Sequence, residues 1–201
     1  MQLDAARFCA IDIETTGLNS KKDEIIAFAS VPMVNLKILV CDTFYTLIKP
    51  KRYRIEAMKY HGISSGDLRA APAFKDVADR VLKTLDGVLV GHSVAFDYTF
   101  LKRAFKTVGI NLKREWLDIA IVEKWLGQTQ GNEDLDLSFE AMMGRYGLRP
   151  YYRHHATADA FFGAQMFQMQ LRRLRAYGVD DIEQLVKLVR ACRETDHCFA
   201  F

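Results

Sequence analysis

Asp12 and Glu14 stand two residues apart at the end of the apolar run Phe8-Cys9-Ala10-Ile11, just before Thr15-Thr16-Gly17-Leu18. Side chains alternate along a strand, so this spacing brings both carboxylates out on one face, about 6–7 Å apart along the backbone. Two like charges so placed repel unless a cation lies between them. Hard divalent ions such as Mg²⁺ and Mn²⁺ take carboxylate oxygens, and Mg²⁺ keeps positions open for water or phosphate. The pair therefore points to a metal site for phosphate chemistry. The plainer alternative is a solvated strand end running into a glycine turn.

Two further acidic segments supply partners. After Val88-Leu89-Val90-Gly91, the residues Phe96, Phe100, Leu101, Ala104, Phe105 and Val108 recur at helical spacing, which puts Asp97 in the first turn of a helix. An acid there favours the helix macrodipole whether or not it binds anything. The third segment, His154-His155-Ala156-Thr157-Ala158-Asp159, runs into a stretch dense in small and aromatic residues that reads as a buried helix. An acid buried with such a helix needs a partner.

In this order and with these gaps, Asp12 and Glu14, then His92, Phe96 and Asp97, then His154, Ala156 and Asp159 resemble the three motifs of the DEDDh (DnaQ-like) 3′–5′ exonuclease family, and the similarity runs from about Phe8 to about Met169. The resemblance implies a ribonuclease H-like α/β fold, a mixed sheet with helices on both faces. It implies that Asp12, Glu14, Asp97 and Asp159 hold two Mg²⁺ or Mn²⁺ ions, with Asp12 bridging, and that His154 is the general base. Imidazole suits that task because its ordinary pKa lies near working pH. His155 is the rival, at i,i+4 to Asp159, and the family's spacing selects His154. Thr15, Gly17, Leu18, Glu56, His61 and Phe96 are implied to hold the terminal nucleotide, with Leu18 as a wedge beside the last base. One departure is Ser93, where the family usually has Asn.

The implied activity is hydrolysis of single-stranded or frayed 3′ ends, DNA before RNA, to nucleoside 5′-monophosphates in proofreading or repair. Trimming of RNA ends and a non-catalytic nucleic-acid-binding or polymerase-partner module are the alternatives left open. The implied partners are a nucleic acid 3′ end and a DNA polymerase or a second copy of the chain. For docking, the segment 180–201 offers an apolar helical stripe of Ile182, Leu185, Leu188, Val189 and Cys192, which equally suits packing on the protein's own core.

Composition is compatible with this reading. Lys+Arg number 28 against 25 Asp+Glu, a net charge of +3, and four of the acids are assigned to metal. The basic clusters Lys21-Lys22, Lys49 to Arg54 and Arg172 to Arg175 suit a groove tracking single-stranded phosphates, or are simply a solvated surface. No apolar run reaches the ~18–20 residues that span a bilayer, and Met1 to Asp4 lacks a signal peptide's features, so the expected location is the cytoplasm, off the membrane. Cys9, Cys41, Cys192 and Cys198 show no metal-binding spacing, and Cys9 and Cys41 fall in expected strands. Cys192, His197 and Cys198 form a weak alternative ligand set.

The elements expected around these residues are a strand to about Glu14, strands at Glu24 to Met33 and Leu36 to Ile48 in antiparallel hairpins, a helix from Pro72 to Leu85, a strand at Val88 to Val90 and another near Trp116 to Ile119. Helices follow at Ile119 to Leu126, Leu137 to Tyr146, Ala156 to Tyr177 and Asp181 to Arg193, the last with Asp180 as N-cap and Glu183 three residues on. The whole chain reads as one exonuclease domain, with a core of about 8–177 and a helical tail of about 180–201.

Overall fold

Strand β1 (Arg7–Thr15) carries the first acidic pair and lies at the centre of the sheet. The computed structural model describes residues 1–149 and 154–195. The other strands are β2 (Ile25–Val34), β3 (Lys37–Ile38), β4 (Phe44–Leu47), β5 (Val88–Gly91) and β6 (Trp116–Asp118). They run in the order β3-β2-β1-β5-β6, with β4 also beside β2. β1 is antiparallel to β2 and parallel to β5, and β5 is parallel to β6. The helices are α1 (Met58–His61), α2 (Ser65–Arg69), α3 (Phe74–Thr84), α4 (Val94–Lys106), α5 (Ile119–Gln128), α6 (Phe139–Arg145), α7 (Ala156–Ala176) and α8 (Ile182–Thr195).

Alternation along β1 divides the core in two. Phe8 and Ala10 belong to a cluster with α5, α6, α7 and α8, whereas Cys9, Ile11 and Ile13 belong to a cluster with α3 and α4. The mixed sheet with helices on both faces is therefore as expected. α7 lies close on β1 because its sheet-facing positions are small: Ala156, Ala160, Gly163 and Ala164 are all buried. Phe8 and Phe167 meet edge to face at 5.0 Å and lock that approach.

The strand expected over Leu36 to Ile48 is broken. β3 ends at Ile38, a 3₁₀ turn covers Val40–Asp42, and β4 resumes at Phe44. The cause lies in the neighbouring strand. Pro32 in β2 offers its carbonyl to Leu39 N–H (2.9 Å) but has no N–H to return, so the ladder cannot continue past that point. Cys41 consequently sits exposed in the 3₁₀ turn, not in a strand. The tight turn between β2 and β3 uses Asn35 and Leu36 at φ +52° and +59°, the arrangement of a two-residue hairpin turn.

At the C-terminal end, the N-cap of α8 lies one residue later than expected. Asp181 Oδ1 accepts N–H groups from Glu183 (2.8 Å) and Gln184 (3.0 Å), while Gln184 Oε1 accepts Asp181 N–H at 3.4 Å. The apolar stripe of α8 packs on the protein's own core, with Leu185 and Val189 fully buried. Leu3 N–H to Asp180 O (2.8 Å) and Ile182 N–H to Met1 O (3.0 Å) tie this helix to the N-terminal segment. His197 and Cys198 lie outside the described residues. No helix among the described residues is long and apolar enough to cross a membrane.

Candidate active site

The acids gather where the parallel strands end. β1 extends beyond β5: the pairing of Ala10 with Val90 is its last with β5, and the chain turns at Gly91. The N–H of Ile13 on that side has no strand to pair with, and Asp97 Oδ1 accepts it at 3.0 Å. The carboxyl of Asp97 thus reaches from the first turn of α4 to the backbone between Asp12 and Glu14. Asp12 and Glu14 are half-buried on the α7 face of β1, opposite Ala29 and Ala27 of β2. Directly paired antiparallel residues share a face, so the two carboxylates have small side chains as their cross-strand neighbours. Between Glu14 and Thr15 the register slips by one residue, a bulge that re-aims the strand as it leaves the sheet.

Asp97 is buried, and burial is the main reason its carboxyl is pushed well above the ordinary range. The backbone N–H groups it accepts oppose that rise, whereas the negative charges of Asp118 and Glu14 add to it. Asp118 closes β6 and caps α5 by accepting Ala120 N–H at 3.0 Å. It was not singled out from the sequence, although an acid at the carboxyl end of a buried parallel strand is a usable signal.

Asp159 is buried in the first turn of α7. Its Oδ2 accepts His154 N–H (3.1 Å), and its own N–H donates to His155 O (3.0 Å). His154 is exposed with φ +60°, and His155 lies at the N-cap with its ring against Tyr45. Tyr45 is a second site neighbour missed in the sequence. Its phenol is pushed up by partial burial and then by the charges of Glu14 and Asp67.

The remaining expected residues lie at the end of β1 and in the loop after it, around α1, and in the first turn of α4. Thr15 Oγ1 donates to Gly17 O at 2.8 Å, and Leu18 projects into solvent, 85% exposed. A Cβ on Gly17 would lie 2.6 Å from Asp23 Oδ2, so glycine is needed for that close approach. Asp23 in turn accepts Asn19 N–H (2.9 Å) and pairs with Arg54, which joins this loop to the segment leading to α1. Glu56 is exposed in the 3₁₀ turn Ile55–Ala57. His61 is buried; its Nδ1 accepts Ile63 N–H at 3.0 Å, while its Nε2 has no partner among the described residues. Burial lowers its pKa and keeps the ring neutral, so Nε2 carries the proton and is a spare donor. Phe96 packs on Phe100 at 4.7 Å and is half-buried. Ser93 adopts φ +54° with no capping bond, a backbone state that Asn tolerates better. His92 shares a hydrogen bond with Leu137 O (2.8 Å) and meets Phe139 edge to face, so it ties the end of β5 to the segment before α6.

A set of carboxylate donors of this kind suits a hard divalent cation. Among the described residues, no three His, Cys, Asp or Glu side chains are close enough to form a cation cage.

The fold is a mixed α/β sheet of the ribonuclease H-like class. The RNase_T exonuclease model matches residues 9–167, and the chain belongs to that family. Among similar proteins, the PolC-type DNA polymerase III of Caldanaerobacter subterraneus subsp. tengcongensis is 31% identical over 94% of this chain and 13% of its own length. The DNA polymerase III subunit epsilon-like protein of Rhodobacter capsulatus is 32% identical over 94% of this chain and 27% of its own. The chain thus spans well under a third of these relatives. Among solved structures, exonuclease X in complex with 5′-overhanging duplex DNA aligns with a TM-score of 0.70 at 21% identity, covering 90% of this chain and 99% of that one. The nuclease domain of 3′hExo, a DEDDh family member bound to rAMP, aligns at 0.69 and 17%, covering 86% and 94%. The DEDDh resemblance and the ribonuclease H-like fold read from the sequence are borne out.

Proposed function

We propose that this chain is a single 3′–5′ exonuclease domain that removes nucleoside 5′-monophosphates from single-stranded or frayed 3′ ends, DNA in preference to RNA, with two Mg²⁺ or Mn²⁺ ions. The observation that carries this reading is the buried carboxyl of Asp97, which reaches from α4 to the Ile13 N–H between Asp12 and Glu14 and feels the negative charges of Asp118 and Glu14. A buried acid that faces other acids suits a cation site. Asp12, Glu14, Asp97 and Asp159 would hold the ions. When bound, two such ions supply activation of the attacking water and stabilisation of the leaving oxygen in an in-line displacement.

The protein's own groups do the rest. His154, exposed at the mouth of the site, accepts the proton of the attacking water. His61 Nε2–H and Glu56 bind the terminal sugar, and Leu18 wedges beside the last base with Phe96, Thr15 and Gly17 shaping its seat. An apolar wedge meets every base alike, which favours sequence tolerance. A DNA substrate and a polymerase partner are supported by the polymerase relatives, whereas the packing of Leu185 and Val189 on the protein's own core argues against the α8 stripe as the docking element.

The test is a side-by-side digestion of 3′-labelled and 5′-labelled single-stranded DNA, duplex DNA and RNA, with Mg²⁺, Mn²⁺ or chelator. The 3′ label should leave first, as a mononucleotide, only with metal, and fastest from single-stranded DNA. Full activity in chelator or early release of the 5′ label would overturn the reading. Binding without cleavage would establish the non-catalytic module instead.

A further inference from the structure

His154, His155 and Asp159 form one closed ring of chain. His154 N–H donates to Asp159 Oδ2, Asp159 N–H donates to His155 O, and His154 is held in the left-handed region at φ +60°. A residue other than glycine stays in that region only where its surroundings hold it. The ring of hydrogen bonds closes the turn on itself, and α7 carries its C-terminal side against the sheet. On its outer side an aromatic contact holds it as well: the His155 ring stacks on Tyr45, with centroids 5.3 Å apart and planes at 23°.

Tyr45 is well placed to act as an anchor. It belongs to β4 and pairs with Ala29, which in turn pairs with Asp12, so all three share the α7 face of the sheet. Its ring is therefore referenced to the strand that carries the first acidic pair, and the flat face of that ring is what it contributes. Tyr45 and His155 are both exposed, and an exposed imidazole without such a support would sample several rotamers.

We propose that Tyr45 is a positioning residue for the general base: by stacking on His155 it holds the turn that presents His154 to the attacking water. This rests on the reading of His154 as the base. Misplacing a reacting group by about 1 Å can cost 10²-fold, and loosening one of two restraints on it should cost less, about 10-fold.

The experiment measures turnover and KM on a 3′-labelled single-stranded oligonucleotide with saturating Mn²⁺, together with the imidazole proton resonances of the metal-free protein. Tyr45→Ala should lower kcat by about 10-fold with KM nearly unchanged. Tyr45→Phe should restore most of that loss. His155→Ala should match Tyr45→Ala, and the double variant should be no worse than either, because both remove the same contact. On a His154→Ala background, Tyr45→Ala should cost nothing further, which a general weakening of the site would not reproduce. In the metal-free protein the His155 ring signals should shift in Tyr45→Ala and stay in Tyr45→Phe. An unshifted His155 signal, or a loss that persists on the His154→Ala background, overturns the clamp. Full activity of His154→Ala overturns the base assignment itself. If Tyr45→Ala fails to fold, His155→Ala carries the same comparison.

Discussion

Glu123 on α5 and Asp97 on α4 are both acids in the interior, 1% and 6% exposed, and their surroundings treat them in opposite ways. Burial alone would raise the pKa of Glu123. Tyr146, Gln170, Arg173 and Arg145 outweigh burial and bring it below the ordinary value. The carboxylate accepts from Gln170 Nε2 (3.0 Å) and Arg145 Nε (3.2 Å), with Tyr146 OH and, at 3.5 Å, Arg173 completing the set. α5, α6 and α7 are thereby joined through one fully compensated charge. Asp97 is given a backbone N–H and two further acids as neighbours. A protein that can surround one buried acid with two guanidinium groups has withheld that from the other. The difference suits a structural role for Glu123 and, under the proposed function, a cation-holding role for Asp97.

The largest effect expected from this contrast is on catalysis. Asp97→Asn keeps the size and the acceptor for Ile13 N–H but removes the charge, so nuclease activity should fall by at least ~10²-fold with the fold retained. Wild-type protein should gain thermal stability on adding Mn²⁺, about 2.7 kcal/mol at a hundred times Kd, and the variant should gain much less. Equal stabilisation of both by Mn²⁺, read by thermal unfolding, would place the cation elsewhere.

Next in size is the effect on stability at the other acid. Glu123→Gln leaves Arg145 and Arg173 facing each other without their counter-ion and should cost about 2–4 kcal/mol in denaturant unfolding, softened by the partial exposure of both guanidinium groups. Activity per folded molecule should be nearly unchanged. A large loss of turnover at unchanged stability would erase the distinction between the two sites.

The smallest effect is in the pH dependence of stability in chelator. Asp97 has a raised pKa in the folded state, so its stabilising contribution is full below the ordinary value of 3.8 and is lost as pH rises through the raised value. Glu123 has a lowered one, so its contribution is full above the ordinary 4.5 and is lost as pH falls through the lowered value. Asp97→Asn should therefore flatten the decline of stability toward neutral pH, and Glu123→Gln should flatten the decline in acid. Unfolding midpoints measured across the acid and neutral range check the two slopes. A wild-type profile without the neutral-side decline would mean that Asp97 is already compensated in the cation-free protein.

Much of this was legible in the chain before any fold was known. The i,i+2 spacing of Asp12 and Glu14 places both on one face of a strand, and the helical recurrence from Phe96 to Val108 places Asp97 in a first turn. Periodicity also located α3, α5, α6, α7 and α8 to within a few residues. The errors arose where a neighbour in space overrides a local preference. The residues from Leu36 to Ile48 have good strand propensity, but the partner strand presents Pro32 there and the ladder stops. The α8 cap falls at Asp181 and not Asp180 because the Asp181 carboxylate is the one that accepts the free N–H groups of Glu183 and Gln184.

By itself, then, the sequence determined which acids and histidines the protein owns, the face each takes on its own element, and the order of strands and helices, because these depend on spacings within one or two turns of chain. Only the tertiary structure decided which buried acid receives guanidinium partners and which receives other acids, that Asp97 bonds to the backbone of β1, and that His155 rests on Tyr45. Those contacts join residues far apart in the chain. They exist because parallel β5 stops short of the end of β1 and because small residues let α7 settle close to the sheet, and neither fact is written in the residues that meet.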